Sequence, residues 1–357
     1  MSLEIQELSM GDYPIKRILM FTDIHFGARN NGIQHNQDCL NYLDWFTYLV
    51  KKEKADAVAF MGDWHENRNS INVLTHKYSI QGLRKLEELN IPIFFIIGNH
   101  DLYHRHTRDV HSLEIFKGRE HFILIEHPVS VDKKMLFCPY LFKDEYPAMV
   151  PHVIKHRYVF GHFEFRNFVL TGSNTIAEHG PDHTMFKGCR FLFSGHYHAR
   201  QTKDNIIYIG NTFPTNYGDV DDIRRGACLL NLEEDDFKFF DWPDCPSFHK
   251  TTLSKVINEE WEPRRNGRVR CLIDEEISYT EVQQLREDLL ELYGLREFTI
   301  EENILEKKDA MLEGADVAIN SLELSDLDET VRILIKEGVQ NTTTISSDKL
   351  IEIYNEL

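Results

Sequence analysis

The chain has little that would tie it to a membrane, a disulfide scaffold or a repeat array. No stretch approaches the roughly 20 apolar residues needed to span a bilayer. The polar, acidic start over residues 1–12 is not expected to act as a signal peptide. The six cysteines, Cys39, Cys138, Cys189, Cys228, Cys245 and Cys271, are scattered, and no two form a C-x-x-C pair. That argues against a zinc knuckle or disulfide frame and for buried free thiols in a reducing, cytoplasmic compartment. No internal repeat or low-complexity tract is visible. Basic charge is scarce: 40 Lys+Arg face 58 Asp+Glu, a formal net charge of -18. Such a chain is a poor unaided coat for nucleic acid or anionic lipid, although a local basic groove remains open to it.

What is present is enough chain, 357 residues, for one large domain plus something smaller. Early on, short apolar runs alternate with helix-like stretches: strands at 18–21, 57–61 and 93–97, and helices at 36–54 and 73–89. Trp45 and Phe46 fall among apolar neighbours and read as core. From residue 122 the pattern turns to β, with strands at 122–125, 129–131, 135–138, 158–160, 168–170, 190–193, 206–209, 227–232 and 237–240. Helices early and strands late predict an α+β sheet sandwich with helices outside.

The composition then shifts. Residues 241–248, with Pro243 and Pro246, read as an exit linker. A basic stretch at 264–270, a strand at 269–273, a helix at 280–293 and a strand at 298–300 suffice for a small α+β subdomain. Ser325 could cap a helix over 326–337 that Gly338 ends, and a last helix is expected over 348–357. Both tail helices are too short to stand alone in water and should dock on something.

Five strand ends carry polar clusters. These are Asp23-Ile24-His25, Gly62-Asp63, Gly98-Asn99-His100-Asp101, Gly161-His162 and Gly195-His196-Tyr197-His198. In a D-x-H or H-x-H on extended chain the two side chains share one face, so each pair could bite one ion. Imidazole, carboxylate and amide oxygen together suit manganese, iron or zinc better than an all-oxygen magnesium cage. Singly each motif is weak, because Asp at a strand end usually caps a turn. The ordered set of five is not expected from unrelated turns.

In that order the motifs resemble the calcineurin-like metallophosphoesterase superfamily, over about residues 17–240. The resemblance implies a four-layer αββα sandwich with a dinuclear metal site at the strand ends. Gly161-His162-Phe163-Glu164, Glu178-His179-Gly180, Tyr208-Ile209-Gly210-Asn211, Gly218-Asp219 and Arg225-Gly226 narrow it. They look like the SbcD and Meiotic-Recombination-Eleven nucleases, most of all the bacteriophage recombination endonuclease subunits. By that resemblance 1–245 is the nuclease domain and 246–308 a DNA-binding cap. Residues 309–357 would be linker and helices that dock on the coiled coil of an SbcC-type, SMC-like ATPase. A homodimer acting on DNA in the bacterial or phage-infected cytoplasm is implied, with no membrane role.

The family's roles carry over by motif. Asp23, His25 and His198 would hold one divalent ion, Asn99, His162 and His196 the other, and Asp63 would bridge them, with Mn2+ the expected metal. Two ions ~3.5–4 Å apart activate a water for in-line attack on phosphorus. His100 would protonate the leaving 3′ oxygen or stabilise the phosphate, and Asp101 would orient it. After Asp63 the chain departs from the family with Trp64-His65-Glu66-Asn67-Arg68, leaving His65 or Glu66 to stand close behind the metals. The G-D-x-x-D-R-G of protein phosphatases is absent. Arg264, Arg265, Arg268 and Arg270 could grip DNA phosphates in the cap. His104, His106 and His111 read more readily as solvated loop residues than as a DNA path.

The leading expectation is a 3′–5′ exonuclease on duplex ends and an endonuclease on single strands or hairpins, acting in double-strand-break processing, recombination and replication. A small-molecule or cyclic-nucleotide phosphodiesterase is the alternative. A scaffold with a vestigial site is disfavoured because no expected ligand position is missing.

Overall fold

A computed structural model describes residues 5–170, 175–220, 222 and 224–302. The expected tail helices, and the rest of 303–357, lie outside the described residues. In chain order, β1 (Gln6–Leu8) and β2 (Arg17–Phe21) lead to a short turn α1 (Ala28–Asn31) and the long helix α2 (Ile33–Glu53). Then come β3 (Ala57–Phe60), α3 (Val73–Glu87), β4 (Ile93–Ile96), β5 (Phe122–Ile125), β6 (Val129–Val131) and β7 (Met135–Phe137). The helix α4 (Tyr146–Val153) precedes β8 (Tyr158–Gly161), β9 (Phe191–Ser194), β10 (Gln201–Lys203) and β11 (Ile206–Tyr208). A hairpin of β12 (Gly226–Asn231) and β13 (Asp236–Asp241) follows. Last are β14 (Ser247–Thr252), α5 (Leu253–Ile257), β15 (Gly267–Ile273), α6 (Tyr279–Tyr293) and β16 (Glu297–Glu302).

Two large sheets result, ordered β1-β6-β7-β8-β9-β11-β10 and β13-β12-β2-β3-β4-β5. Period-two alternation in the strands sorts their side chains into layers. Ile18, Met20, Ala59 and Phe94 of one sheet pack against Phe137, Phe160 and Phe193 of the other. The alternate residues Leu19, Phe21, Val58 and Phe60 pack against Leu43 and Phe46 of α2 and Leu83 of α3. On the far side Leu136, Val159 and Leu192 bury Met149 and Val153 of α4. Strands buried on both faces explain the unbroken apolar runs in the sequence. The architecture is the expected four-layer αββα sandwich.

The third sheet, β14-β15-β16, is wholly parallel and carries α6. Ser278 caps α6 through a reciprocal pair with Glu281, and Gly294 ends it in a left-handed conformation. Arg296, just before β16, reaches Asp38 of α2 with both terminal guanidinium nitrogens, at 2.5 and 2.8 Å.

Two local expectations are corrected. Residues 168–170 form no strand, only an isolated bridge between Val169 and Ile176. The stretch 241–248 is no exposed linker: Trp242 and Cys245 are buried, with Trp242 edge-on to Tyr42 at 5.6 Å. The prolines signalled a change of direction correctly, but the aromatic residue between the strands anchors that change in the core. All six cysteines are free and buried. Among the described residues no helix is long and apolar enough to cross a membrane.

Phe160 stacks on Phe137 at 4.6 Å in the middle of the inter-sheet core, with Phe193 at 5.8 Å on its other side. Phe160→Ala should therefore destabilise the protein by about 3–5 kcal/mol, read from denaturant unfolding. A loss under 1 kcal/mol would mean the two sheets are not packed as described.

Candidate metal centre

β2, β3 and β4 are adjacent and parallel, so the loops leaving their carboxyl ends lie side by side. Those loops carry Asp23 and His25, Asp63, and Asn99 to Asp101. β8 and β9, also parallel neighbours, bring His162, His196 and His198 from the facing sheet. All five sequence clusters thus converge on one edge of the sandwich.

The clusters do not converge through extended chain. Asp23 and His25 have φ of 52° and 51°, and Asp63 and His196 have 61° and 86°, so these residues are left-handed rather than extended. Such conformations cost on the order of 1 kcal/mol or more each and persist where the surroundings impose them. Here loop-to-loop bonds do so: the Asp23 amide donates to the Gly62 carbonyl at 2.9 Å and the His25 amide to the Asp63 carbonyl at 3.1 Å. Close approach also demands glycine. A Cβ on Gly98 would strike the Asp63 carboxylate and amide, and one on Gly195 would strike the Thr22 hydroxyl.

The side chains form two groups that share Asp63. In the first, His25 Nε2 is 3.8 Å from both Asp23 Oδ1 and Asp63 Oδ2, and His198 closes the set with Asp23 and His25. In the second, His162 Nε2 lies 2.9 Å from Asn99 Oδ1 and 3.3 Å from Asp63 Oδ2, and His196 Nδ1 is 2.9 Å from the same Asn99 oxygen. His196 and His198 therefore face different groups, so the H-x-H does not act as one bite.

The donor chemistry fits cations. His162 Nδ1 bonds the Met61 carbonyl at 2.7 Å, which requires a proton on that nitrogen. In the neutral ring Nε2 is then a bare lone pair facing two oxygen acceptors. Asp23 Oδ1 and His25 Nε2 are buried without any hydrogen-bond partner. Acceptors crowded on acceptors at these distances repel unless a positive charge sits among them.

The same imbalance moves the protons. Burial alone would lower His162, but the Asp63 and Asp23 carboxylates outweigh it and bring it up to about 9. His25 is likewise held well above its ordinary value against burial, by Asp23 and Glu66. Asp63 is held well below the usual carboxylate range despite burial, because His162 stands beside it. Burial, with His162 close by, pushes His196 down to about 3.

Around these groups stand residues that hold them. Asp101, fully buried, accepts the amides of Asp63, Trp64, His65 and Gly98 at 2.9–3.2 Å. It fastens the β3 and β4 loops together, and among the described residues its carboxylate accepts from backbone amides and the Ser112 hydroxyl rather than from the expected His100 ring. A carboxylate has four lone-pair sites, and here backbone amides take them. His100 is oriented instead by the Glu66 carbonyl, which accepts from Nδ1 at 2.8 Å, and its own amide donates to Asp63 Oδ1 at 2.8 Å. Glu66 also sets His25, with Oε2 2.7 Å from Nδ1. Of the two residues left open behind Asp63, Glu66 is therefore the one beside the metal centre. His65 is buried between the Ser79 and Ser112 hydroxyls, and burial brings it down to about 3.

Two neighbours had no signal in the sequence. The Thr22 hydroxyl donates to Asp23 Oδ2 at 2.6 Å, and the Tyr140 ring lies 6.2 and 6.1 Å from those of His162 and His196. A lone Thr or Tyr at a strand end looks like any other.

The four arginines expected to grip DNA stand in different surroundings. Arg264 and Arg265 are exposed, Arg268 is buried, and Arg270 lies over the Tyr217 ring at 4.0 Å. His106 is exposed and His104 partly so. His111 is buried, with Nε2 3.1 Å from Glu126, so it is not a solvated loop residue.

Residues 16–200 match the calcineurin-like phosphoesterase family. The chain belongs to that family. This phosphoesterase is also similar to "Exonuclease subunit 1" of Enterobacteria phage T4, with 22% identity over 363 aligned positions that take in 96% of this chain and 98% of that one. Among solved structures it is similar to a dimetal phosphatase from Danio rerio, at a TM-score of 0.41 and 10% identity, over 61% of this chain and 93% of that chain. Membership of the calcineurin-like phosphoesterase family, together with the clustered ligand side chains, makes the protein a metal-dependent phosphoesterase that uses divalent ions.

A metal arriving at His162 must displace the proton that its raised value retains at neutral pH. Mn2+ affinity should rise from about pH 7 to about pH 8.5 and flatten above about 9, with protons released on binding. Calorimetric titrations in two buffers of different ionisation heat would read this. Affinity independent of pH, with no proton release, would contradict the assignment.

Proposed function

We propose that this phosphoesterase is a two-metal DNA nuclease subunit, a 3′–5′ exonuclease on duplex ends and an endonuclease on single strands or hairpins. The observation that carries the reading is end-to-end similarity to a protein called an exonuclease subunit, not similarity of the phosphoesterase core alone. A subunit implies a partner. An SbcC-type ATPase bound by the 309–357 tail is the proposed one, acting with a homodimer of this chain in the cytoplasm of an infected cell. Residues 246–308 serve as the DNA-binding cap beyond the 1–245 nuclease domain. Recombination, repair and replication are the processes such a complex would serve.

Asp23, His25 and His198 hold one ion, Asn99, His162 and His196 the other, and Asp63 both. The mixed imidazole, amide and carboxylate set favours Mn2+. When bound, the two ions supply an activated water and neutralise charge building on the phosphate oxygens. The protein's own part is positional. Asp101 keeps the Asp63 and Asn99 loops in register, and Glu66 fixes the rings of His25 and His100. With Nδ1 committed to the Glu66 carbonyl, His100 presents Nε2 to the scissile phosphate. There it passes a proton to the leaving 3′ oxygen. Its ring packs edge-on against His25 at 4.9 Å, beside the first ion's group without belonging to either set of ligands.

His100→Ser should lower Mn2+-dependent cleavage of an end-labelled duplex about 10²–10⁴-fold while metal content stays near wild type. Loss of a metal in that variant would make His100 a ligand and refute its role. Deleting 325–357 should abolish pull-down of a candidate ATPase while leaving hydrolysis of a small diester intact. An unchanged pull-down would remove the docking assignment.

A further inference from the structure

Two cavities adjoin one another on the face that carries His100. One, of about 570 Å³, is lined by His100, Glu66, Arg29, Arg68 and Arg105. The other, of about 440 Å³, lies where α2 meets the third sheet and is lined by Arg29, Arg268, Arg296, Glu297 and residues 32–35. Arg29 belongs to both, so an arginine-rich lining continues from the metal centre to the small sheet. In a chain with a net charge of -18, that lining is a local concentration of cations.

The second cavity has the construction of an anion site. α2 is a helix of 21 residues whose N-cap, Gly32, offers no side chain, and its first turn holds no acidic residue. Its first amides thus lack a side-chain acceptor at the positive end of the helix. Arg268, only 6% exposed, supplies an independent indication. Its guanidinium has no hydrogen-bond partner among the described residues. Its nearest carboxylate oxygen, Glu297 Oε2, is 3.7 Å away and is shared with Arg29, also at 3.7 Å. Both arginines lie over the Phe248 ring at 5.4 Å, a contact that positions them and leaves their N–H groups free. Arg296 is already committed to Asp38. Burial and the nearby Arg29 and Arg296 bring Arg268 down to about 10, so it stays charged at neutral pH. A buried charge whose one facing carboxylate stands beyond hydrogen-bond distance and is shared with a second arginine still has N–H donors to offer a ligand.

We propose that Arg29, Arg268 and the first turn of α2 form a phosphate seat that holds a DNA backbone phosphate away from the one being cleaved. The seat deepens the nuclease reading and rests on it for the source of the phosphate. It also divides the basic stretch of the third sheet, because Arg268 faces the seat while Arg264 and Arg265 are exposed.

The test uses the full chain with Ca2+ in place of a catalytic metal, and a short fluorescent duplex titrated over a salt series. Arg29→Gln should weaken binding about tenfold and reduce the salt slope by about one. Arg268→Gln should do the same, and Arg268→Lys, which retains the charge and guards against misfolding, should fall between it and wild type. Wild-type affinity and slope in Arg29→Gln, with inorganic phosphate leaving the melting temperature of both proteins unchanged, would overturn the seat. Equal duplex affinities, with inorganic phosphate raising the melting temperature of wild type but not of Arg29→Gln, would assign the seat to free phosphate and overturn the DNA source. A wild type that cuts no DNA, yet loses duplex affinity on Arg29→Gln, would sink the nuclease reading and leave the seat standing.

Discussion

Burial of Asp23, Asp63 and Asp101 at the carboxyl ends of three adjacent parallel strands is the constraint on which the rest depends. Each carboxylate removed from water must regain the lost solvation from fixed donors or from cations. Asp101 regains only part of it, from four backbone amides, since burial and the Asp63 carboxylate still raise it to about 7, and those amides make it structural. Asp23 and Asp63 take part of it from Thr22 and from the His196 and His100 amides, and their remaining oxygens turn toward imidazoles. One residue type in one kind of place thus does two jobs. The number of amides within reach decides which.

That division explains the left-handed residues and the obligatory glycines. Loops that fold their amides inward onto a carboxylate cannot continue as strands. The sandwich makes such loops tolerable because strands buried on both faces fix where each loop starts. The phenylalanine stack between the sheets and the bonds across the rim therefore belong to one chain of causes. The core sets the strand ends, the strand ends set the loops, and the loops bring neighbouring ligand atoms to 2.9–3.8 Å of one another.

Much of this was legible in the sequence, for reasons that differ by residue. The strands were readable because unbroken apolar runs are what a doubly covered sheet requires. The polar clusters were readable because Asp, His and Asn at five strand ends have no place in a core. The geometry inside the clusters was not. Asp23 and His25 meet through left-handed turns, a property of the neighbouring Gly62 and Asp63 carbonyls that no spacing rule contains. Asp101 was misjudged for the same reason, since its partners are amides that every residue carries. Position narrows the residue behind the metals to His65 or Glu66, and only the fold separates them, setting Glu66 on His25 and His100 and His65 between two serines. The arginines around the second cavity come from positions 29, 268 and 296, and only the folded chain brings them together.

The central claim is that two groups of side chains sharing Asp63 hold two cations. Anomalous diffraction from Mn2+-soaked crystals at the manganese edge tests it most directly. The account predicts two peaks ~3.5–4 Å apart, one among Asp23, His25 and His198, the other among Asn99, His162 and His196, both in contact with Asp63. A single peak, or peaks that leave Asp63 without a metal, would contradict it.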